Sequence, residues 1–552
     1  MKDYAYLVCA TAVANHNKFY EITLNEDGSL DTKHGRVGTN GVAVHYNAGE
    51  RTFEGLLKEK ERKGYKINNR GVKETIGTNG APKYKPIEDK EIACLVAEMM
   101  EKSAQFMQQN YTVKKEEITE KMVNEAKAKL AELHALADGG NATIHIFNHI
   151  LEDLFAAVPR RMEQVAKYEA NSPADFSRIL DREDDLFDSM YQIYLQTKAQ
   201  KEAAAKMVQS AENGNKTALE AGGIQMDECT YAEEDYIIKK LAKKNWERLS
   251  NENRFIRAFK VTNEKTERQF NDYCDTKASL KNSAAHQGTR MYFHGTGFQN
   301  LWSIINNGLI LNPNARICGK AFGQGIYFAE HSQKSLGYTS IQGSRWASGN
   351  QSTGFLLMYE VAAGNSLKIN DGSDQSRYGV YSSFNEKSLK RAGDFDSVYA
   401  VGRSENGGRG VFQNSEIMVY NEKACTIRYI IEIASRNRDF NLDYDDRRKI
   451  EFAPSDIKVS VDKNARLTFK VKNNDTDLTV AYNPEIDSAD ITGTVIGRQC
   501  SRLTDADCKW VMRAIKKVYA DSEKQWKELM TSDNRDKFLG IDTKSKGKQI
   551  TD

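Results

Sequence analysis

Hydrophobic and polar positions divide the chain into four stretches of different period. Over residues 1–85 the pattern alternates. Phe19-Tyr20-Glu21-Ile22-Thr23-Leu24 reads as a strand, and Asn25-Glu26-Asp27-Gly28 as the turn after it. The opening residues, with neither a basic n-region nor a long apolar h-region, read as a strand rather than a signal peptide. Gly35, Gly38 and Gly41 precede a helical stretch, 50–63, with Phe53, Leu56 and Leu57 on one face. Asn79-Gly80-Ala81-Pro82 and Pro86 mark a linker. Over 88–205 the period becomes helical, with one stripe at Ile92, Leu95, Val96, Met99 and Met100. Further stripes run through Ile118, Met122, Ala126 and Leu130, and through Phe147, Ile150, Leu151, Leu154 and Phe155. Ser172-Pro173-Ala174-Asp175 is a helix start, with a capping hydroxyl, an early proline and an acid three residues on. Asn213-Gly214-Asn215 and Gly222-Gly223 form a second break. Over 230–440 short strands alternate with occasional helices; Asn300 to Asn307 is a short helix closed by Gly308. Phe355 to Val361 and Ile427 to Ile433 read as buried strands. Over 445–552 a hairpin-like region (457–480) precedes a helix that starts at Thr504-Asp505-Ala506-Asp507 and runs to about Leu529; the polar tail from Ile541 frays.

Composition narrows the class. The 552 residues suit three or four domains, and no apolar run reaches the ~20 residues of a membrane span. A net charge of +2 gives no chain-wide basic field, so any nucleic-acid binding is local. Residues 1–85 carry 14 Lys/Arg against 10 Asp/Glu, a modest local excess. The eight cysteines form no CxxC pair, which excludes the usual structural zinc patterns and suits a reducing, intracellular compartment. His145 and His149 share a helix face without a nearby third ligand, so no metal is expected. Lys239-Lys240 and Lys243-Lys244 read as a solvated helix face before a localisation signal.

Chemistry concentrates in three fragments: Tyr292-Phe293-His294-Gly295-Thr296, the stretch Gly319 to Tyr338 (GKAFGQGIYFAEHSQKSLGY), and Asn414-Ser415-Glu416 before a strand. Together they offer a histidine, tyrosines, a serine and a glutamate. That set suits gripping a flat aromatic amide and steadying a cationic sugar. Breaking the bond between nicotinamide and ribose needs no general acid, because the leaving group is already cationic. It needs a carboxylate beside the oxocarbenium-like ribose, a fixed group typically worth ~10²–10³ in rate. It also needs an aromatic face, and a glycine where backbone must approach closely.

The three fragments resemble the poly(ADP-ribose) polymerase family. His294-Gly295-Thr296 is similar to its His-Gly-Ser/Thr element, Gly325-Ile326-Tyr327-Phe328-Ala329 to its Gly-Ile-Tyr-Phe-Ala strand, and Glu416 to its catalytic glutamate. The resemblance implies NAD as substrate, no metal, and protein acceptors that include the enzyme itself. It implies catalytic roles for His294, Tyr327 and Glu416. Gly295 and Ser335 would hold the carboxamide, Tyr327 and Tyr338 would sandwich the ring, and His294 would take the adenosine ribose. Thr296, Asn300, Phe328, Ala329 and Lys334 complete the NAD-binding set. Residues 88–205 resemble the family's helical regulatory domain, with Asp184 and Asp188 as the acids facing the NAD site. Residues 17–66 resemble the WGR domain, which touches DNA breaks; Arg36 takes its arginine position, and His34 stands where the signature tryptophan would be.

The implied fold is α+β and multidomain: a small β-rich N-terminal domain (1–85), an all-α bundle (88–205), a catalytic domain of two packed antiparallel sheets (230–440) and a small α+β C-terminal extension (445–552). The expected activity is ADP-ribosyl transfer making polymer, stimulated by DNA breaks and restrained by the bundle, in the nucleus of a eukaryote or otherwise the cytoplasm. The segment between Val401 and Glu416 is much shorter than the acceptor-side loop of long polymer makers. Mono-transfer, NAD hydrolysis and a catalytically weak DNA-end scaffold therefore stay open as alternatives.

Overall fold

The computed structural model describes residues 1–521 apart from 13–14, 69–83, 140–142, 209–215, 277–288, 312–320, 345–348, 436–441, 443–445, 447–448, 462–466, 484–487 and 504. The expected linkers at 79–82 and 213–215, Gly319, Thr504, the helix end near Leu529 and the tail lie outside the described residues.

The alternating N-terminal pattern forms β1 (Asp3–Thr11), β2 (His16–Leu24), β3 (Leu30–Arg36), β4 (Val42–Tyr46) and β5 (Lys66–Asn68), with α1 (Phe53–Arg62) before the last strand. Their sheet runs β4-β3-β2-β1-β5. One face closes over Phe53 and Leu56 of α1. The other shares its core with the helices: Tyr6, Val8 and Phe19 pack with Phe147, Leu151 and Phe155.

The helical stretch contains α2 (Lys90–Asn110), α3 (Glu120–Asp138), α4 (Ile144–Ala157) and α5 (Phe176–Val208). Asp89, Thr119 and Thr143 each cap the following helix by accepting a backbone N–H, worth about 1 kcal/mol apiece. The stripe on α2 does not face the bundle throughout. Ile92, Leu95, Val96 and Met99 pack against the large sheet formed by residues 224–434, while Phe106 and Met107, further along, join the bundle core. Inside the bundle, Arg160 and Glu183, 6% and 1% exposed, pair at 2.9 Å, and Arg182 reaches the same carboxylate at 2.8 Å.

The seam between sheet and bundle is built from side-chain amides reading backbone carbonyls. Asn68 Nδ2 donates to Ala156 and Ala157 at 2.8 and 2.7 Å, and Asn17 Nδ2 donates to Arg160 at 3.2 Å. These carbonyls end α4 or follow it, where a helix leaves acceptors unpaired.

After a short α6 (Ala218–Ala221) come β6 (Ile224–Glu228), α7 (Tyr231–Leu241), β7 (Phe255–Asn263), α8 (Glu264–Thr276), β8 (Thr289–Gly295), β9 (Ile326–Ala329), β10 (Thr353–Ala362), β11 (Ser366–Ile369), β12 (Ser397–Ala400), β13 (Glu416–Val419) and β14 (Cys425–Ala434). The expected two packed sheets are instead one nine-stranded sheet, β11-β12-β13-β9-β8-β10-β14-β7-β6. A single residue pair, Phe293 with Ala329, joins its two parts, and β11 runs parallel to β12. So slight a join sets the two parts nearly apart, as the resemblance implied for two sheets.

The C-terminal stretch folds as β15 (Ile457–Val461), β16 (Leu467–Lys472), β17 (Asp477–Asn483), β18 (Ser488–Val495) and β19 (Arg498–Gln499), an antiparallel meander, followed by the helix Asp505–Asp521. Its Phe469, Val480, Val511 and Ile515 share one core with Phe255, Met358 and Ile431 of the large sheet. It thus extends the core of the large sheet.

Candidate active site

The weak join between β8 and β9 is where the chemistry gathers. Glu416 lies opposite Ala329, and Ala329 opposite Phe293. Glu416, Ala329 and Phe293 therefore form one row across three strands, each step about 4.8 Å, with His294 next along β8. Only this one residue pair joins β8 to β9 among the described residues.

His294 Nδ1 lies 3.0 Å from the carbonyl of Tyr327. Such a contact requires a proton on Nδ1 and leaves Nε2 as an acceptor. Burial lowers the imidazole pKa from its ordinary value, which keeps it neutral. Its ring packs on Phe328 and Tyr359, with centroids 5.7 and 6.2 Å away. Gly295 is required by space: a Cβ there would sit 1.8 Å from the Ser335 carbonyl oxygen. Thr296 Oγ1 accepts from Asn300 Nδ2 at 3.2 Å, while the buried Asn300 Oδ1 has no hydrogen-bond partner among the described residues.

The Tyr327 hydroxyl donates to Gly323 O at 3.0 Å and accepts from Phe322 N at 2.9 Å, so the phenol is fixed at both lone pair and proton. Burial raises its pKa far above the ordinary value. Phe328 and Ala329 are buried beside it. Ser335 is buried, and its carbonyl accepts from Tyr338 N at 3.1 Å, which ties that ring to the serine.

Glu416 is 3% exposed. Burial pushes its carboxyl up to about 7, against the opposing pull of Lys334. Lys334 Nζ lies 3.0 Å from Oε1, an ion pair. The same ammonium stands 4.9 Å from the Phe412 ring centre and 5.8 Å from that of Tyr338. One cation thus links the acid to the aromatic wall. Sequence reading placed Lys334 in the set without this ion pair, because a contact across 82 residues has no local signal.

The bundle docks beside this row of residues, through the segment that follows β8. Ser189 Oγ on α5 accepts from Gln299 Nε2 at 3.3 Å, and the Gln192 carbonyl accepts from Ser303 Oγ at 2.6 Å. Both partners lie within nine residues of His294. Of the two acids expected to face the site, Asp184 is a correction: it is fully buried in the bundle, with His134 Nε2 at 2.8 Å. Asp188 falls on the α5 arc of Ser189 and Gln192, and so does Asp185, which the sequence reading passed over. Asp185 is exposed, with Asp188, Asp184 and Asp181 as its acidic neighbours. Its i, i+4 spacing to Ser189 is a signal that a helical wheel carries.

Arg36, expected against DNA, also serves the seam with the bundle. Its guanidinium donates to the carbonyls of Met162, at 2.9 Å, and Glu163, in the seam with the bundle. His34 stacks on Tyr20 with centroids 5.5 Å apart, and Lys60 Nζ caps the same tyrosine at 3.9 Å. Among the described residues, no group of three His, Cys, Asp or Glu side chains is placed to hold a metal ion.

Two family models match the chain: the poly(ADP-ribose) polymerase catalytic domain over residues 232–435 and the WGR domain over residues 4–72. The chain is 34% identical over 201 residues to a poly(ADP-ribose) polymerase-like protein, 100L, of Invertebrate iridescent virus 6, covering 36% of this chain and 92% of the viral one. It is 29% identical over 157 residues to poly(ADP-ribose) polymerase 2 of Homo sapiens, and 28% identical over 172 residues to the protein mono-ADP-ribosyltransferase PARP3 of Mus musculus. Each of those two matches spans 26% of this chain, and they cover 26% and 28% of the human and mouse proteins.

Proposed function

The chain belongs to the poly(ADP-ribose) polymerase family and is an NAD-dependent ADP-ribosyltransferase; from that premise we propose that Glu416 is its catalytic acid and that His294, Tyr327 and Lys334 organise the NAD around it. The observation that carries the assignment is the buried Glu416 carboxyl, held 3.0 Å from Lys334 in one strand row with Ala329 and Phe293. A carboxylate there stabilises the positive ribose as the bond to nicotinamide breaks. Its burial strengthens that effect, because no water competes for the field. The pyridinium charge of NAD favours the ionised acid, so substrate binding itself sets Glu416 in its working state. Gly295 and Ser335 take the carboxamide, Tyr327 and Tyr338 bracket the ring, and His294 Nε2 accepts from a ribose hydroxyl. The orphaned Asn300 Oδ1 and Thr296 lie on the segment that follows β8, and Phe328 and Ala329 form the floor.

Residues 1–85 act as the WGR-like module that meets DNA breaks, with 88–205 as the regulatory bundle on the catalytic domain, 230–440. The α5 bonds to Gln299 and Ser303 support this reading: the bundle grips the segment that follows β8, and Asp188 and Asp185 share that face. Loosening α5 frees that segment for NAD. The transfer is polymer-forming, onto protein acceptors and the enzyme itself, in the nucleus if the host is a eukaryote. No helix among the described residues is long and apolar enough to cross a membrane.

Labelled NAD with and without blunt or nicked DNA tests these readings together. A smear that grows with DNA is expected. A discrete band would mean mono-transfer, and free ADP-ribose would mean hydrolysis. Full activity without DNA would remove the regulatory role.

A further inference from the structure

The Tyr327 phenol sits in a socket made of backbone. Its hydroxyl accepts from Phe322 N and donates to Gly323 O, so two neighbouring residues of the turn before β9 grip it. Such a socket holds a ring only as well as the turn itself is held. Gly323 lies at φ 72°, in the left-handed region that suits glycine, and a Cβ there would stand 2.2 Å from the Phe384 carbonyl oxygen. Gln324 N donates to that same carbonyl at 3.2 Å. The Phe322 ring is fully buried, stacked on Tyr381 with centroids 4.8 Å apart and edge-on to Phe412 at 5.4 Å.

One further group of this turn, the Phe322 carbonyl, lies in the chain between the two that touch Tyr327. Tyr420 takes it: its hydroxyl donates to Phe322 O at 2.5 Å, across 98 residues of sequence. Tyr420 is buried and follows β13, four residues after Glu416. Gly325 makes room for its ring, since a Cβ there would stand 3.2 Å from Tyr420 Cε1. Burial, with Tyr327 as a lesser cause, raises the Tyr420 pKa well above its ordinary value, so the phenol keeps its proton and stays a donor. Glu416 to Val419 meanwhile pair with Ala329 to Ile326 in unbroken register. The acid's strand and the Tyr327 strand are thus joined twice, by their ladder and by the Tyr420–Phe322–Tyr327 chain. The ladder sets the backbone, and the chain of hydrogen bonds sets where the far end of the Tyr327 ring stands.

We propose that Tyr420 is a positioning residue for the nicotinamide stack: its hydroxyl fixes the Phe322 backbone, that backbone fixes the Tyr327 phenol, and the ring is thereby registered against Glu416. Tyr420 acts through Tyr327 and not on the substrate. The proposal rests on the reading of Tyr327 as a face for nicotinamide. Removing the hydroxyl leaves a buried carbonyl without its donor, and the turn shifts to satisfy it, taking the phenol along.

The test compares the full chain with Tyr420→Phe, Tyr327→Phe, the double variant and Tyr381→Phe, by NAD turnover, by inhibition with free nicotinamide and by thermal melts. Tyr381→Phe is the control. Its hydroxyl donates to Asp371 O at 2.6 Å in the same aromatic cluster, while the ring that touches Phe322 stays. Tyr420→Phe should raise the nicotinamide inhibition constant and the KM for NAD about tenfold, the order of one buried hydrogen bond left unmade. Its kcat should stay within about threefold, because the ladder that carries Glu416 is untouched. Tyr327→Phe should match it, and the double variant should be no worse than either, since both cut one chain. Tyr381→Phe should lower the melting temperature and leave both constants unchanged. A Tyr420→Phe protein that melts earlier with both constants unchanged would mean a purely structural residue and overturn the proposal. Additive losses in the double variant would overturn it too. If Tyr327→Phe leaves nicotinamide inhibition unchanged, the Tyr327 reading falls and the proposal with it. If Tyr327→Phe weakens inhibition and Tyr420→Phe does not, the proposal falls alone.

Discussion

Replacing Glu416 by Gln separates what this acid does for the reaction from what it does to the fold. In the folded chain its carboxyl titrates near 7, while its ordinary value is 4.5. Below pH 4.5 the acid is protonated whether folded or not, and burial carries no charge penalty. Between the two values the unfolded chain has lost the proton and the folded chain keeps it, so stability falls as pH rises. Above about 7 the full penalty applies, on the order of 3 kcal/mol. Glutamine keeps the shape and carries no charge. The variant should therefore match wild type near pH 4.5 and exceed it by up to about 3 kcal/mol at pH 8. That figure already includes the opposing pull of Lys334 on the carboxylate. The same substitution should lower nicotinamide release by roughly 10²–10³. Denaturant titrations at pH 5, 6, 7 and 8, run beside an NAD turnover assay, read both effects. A stability difference that does not change with pH would refute the buried-acid argument. Turnover at the wild-type rate would refute the catalytic one.

Other consequences follow from particular contacts. Gly295→Ala drives a Cβ into the Ser335 carbonyl; it should destabilise by about 1–3 kcal/mol and raise the KM for NAD, as steady-state kinetics would show. Arg160→Ala strips the buried Glu183 of one of its two arginine partners; the loss should approach 3 kcal/mol, seen as faster amide exchange in α5 and higher DNA-independent turnover. Arg36→Ala should reduce DNA stimulation while changing DNA affinity less than threefold, measured by fluorescence anisotropy, because its guanidinium serves the seam. Phe469→Ala should lower stability by about 3–5 kcal/mol in thermal melts of the whole chain, because the C-terminal sheet shares the catalytic core.

Local pattern carried the elements and the identity of the site residues, and long-range packing carried what the sequence could not show. Alternation placed β2, the stripe at Phe147 to Phe155 placed α4, and the glycine after Asn307 marked a helix end, because each depends on neighbours a few residues away. The three site fragments were legible because each keeps its own composition. The Lys334–Glu416 contact, the division of α2 between two cores and the turning of Asp184 toward His134 depend on how helices rotate against partners far along the chain. The bonds of Arg36 to Met162 and Glu163 belong with these, because they join residues more than a hundred positions apart. The nine-stranded sheet was hidden by the single pair that joins it.

The sharpest measurement is a crystal structure of the full chain with NAD or nicotinamide. The nicotinamide ring should lie between Tyr327 and Tyr338, its amide on Gly295 and Ser335, with the Glu416 carboxylate against the adjoining ribose. A ring bound elsewhere, or a ribose out of reach of Glu416, would contradict the account at its centre.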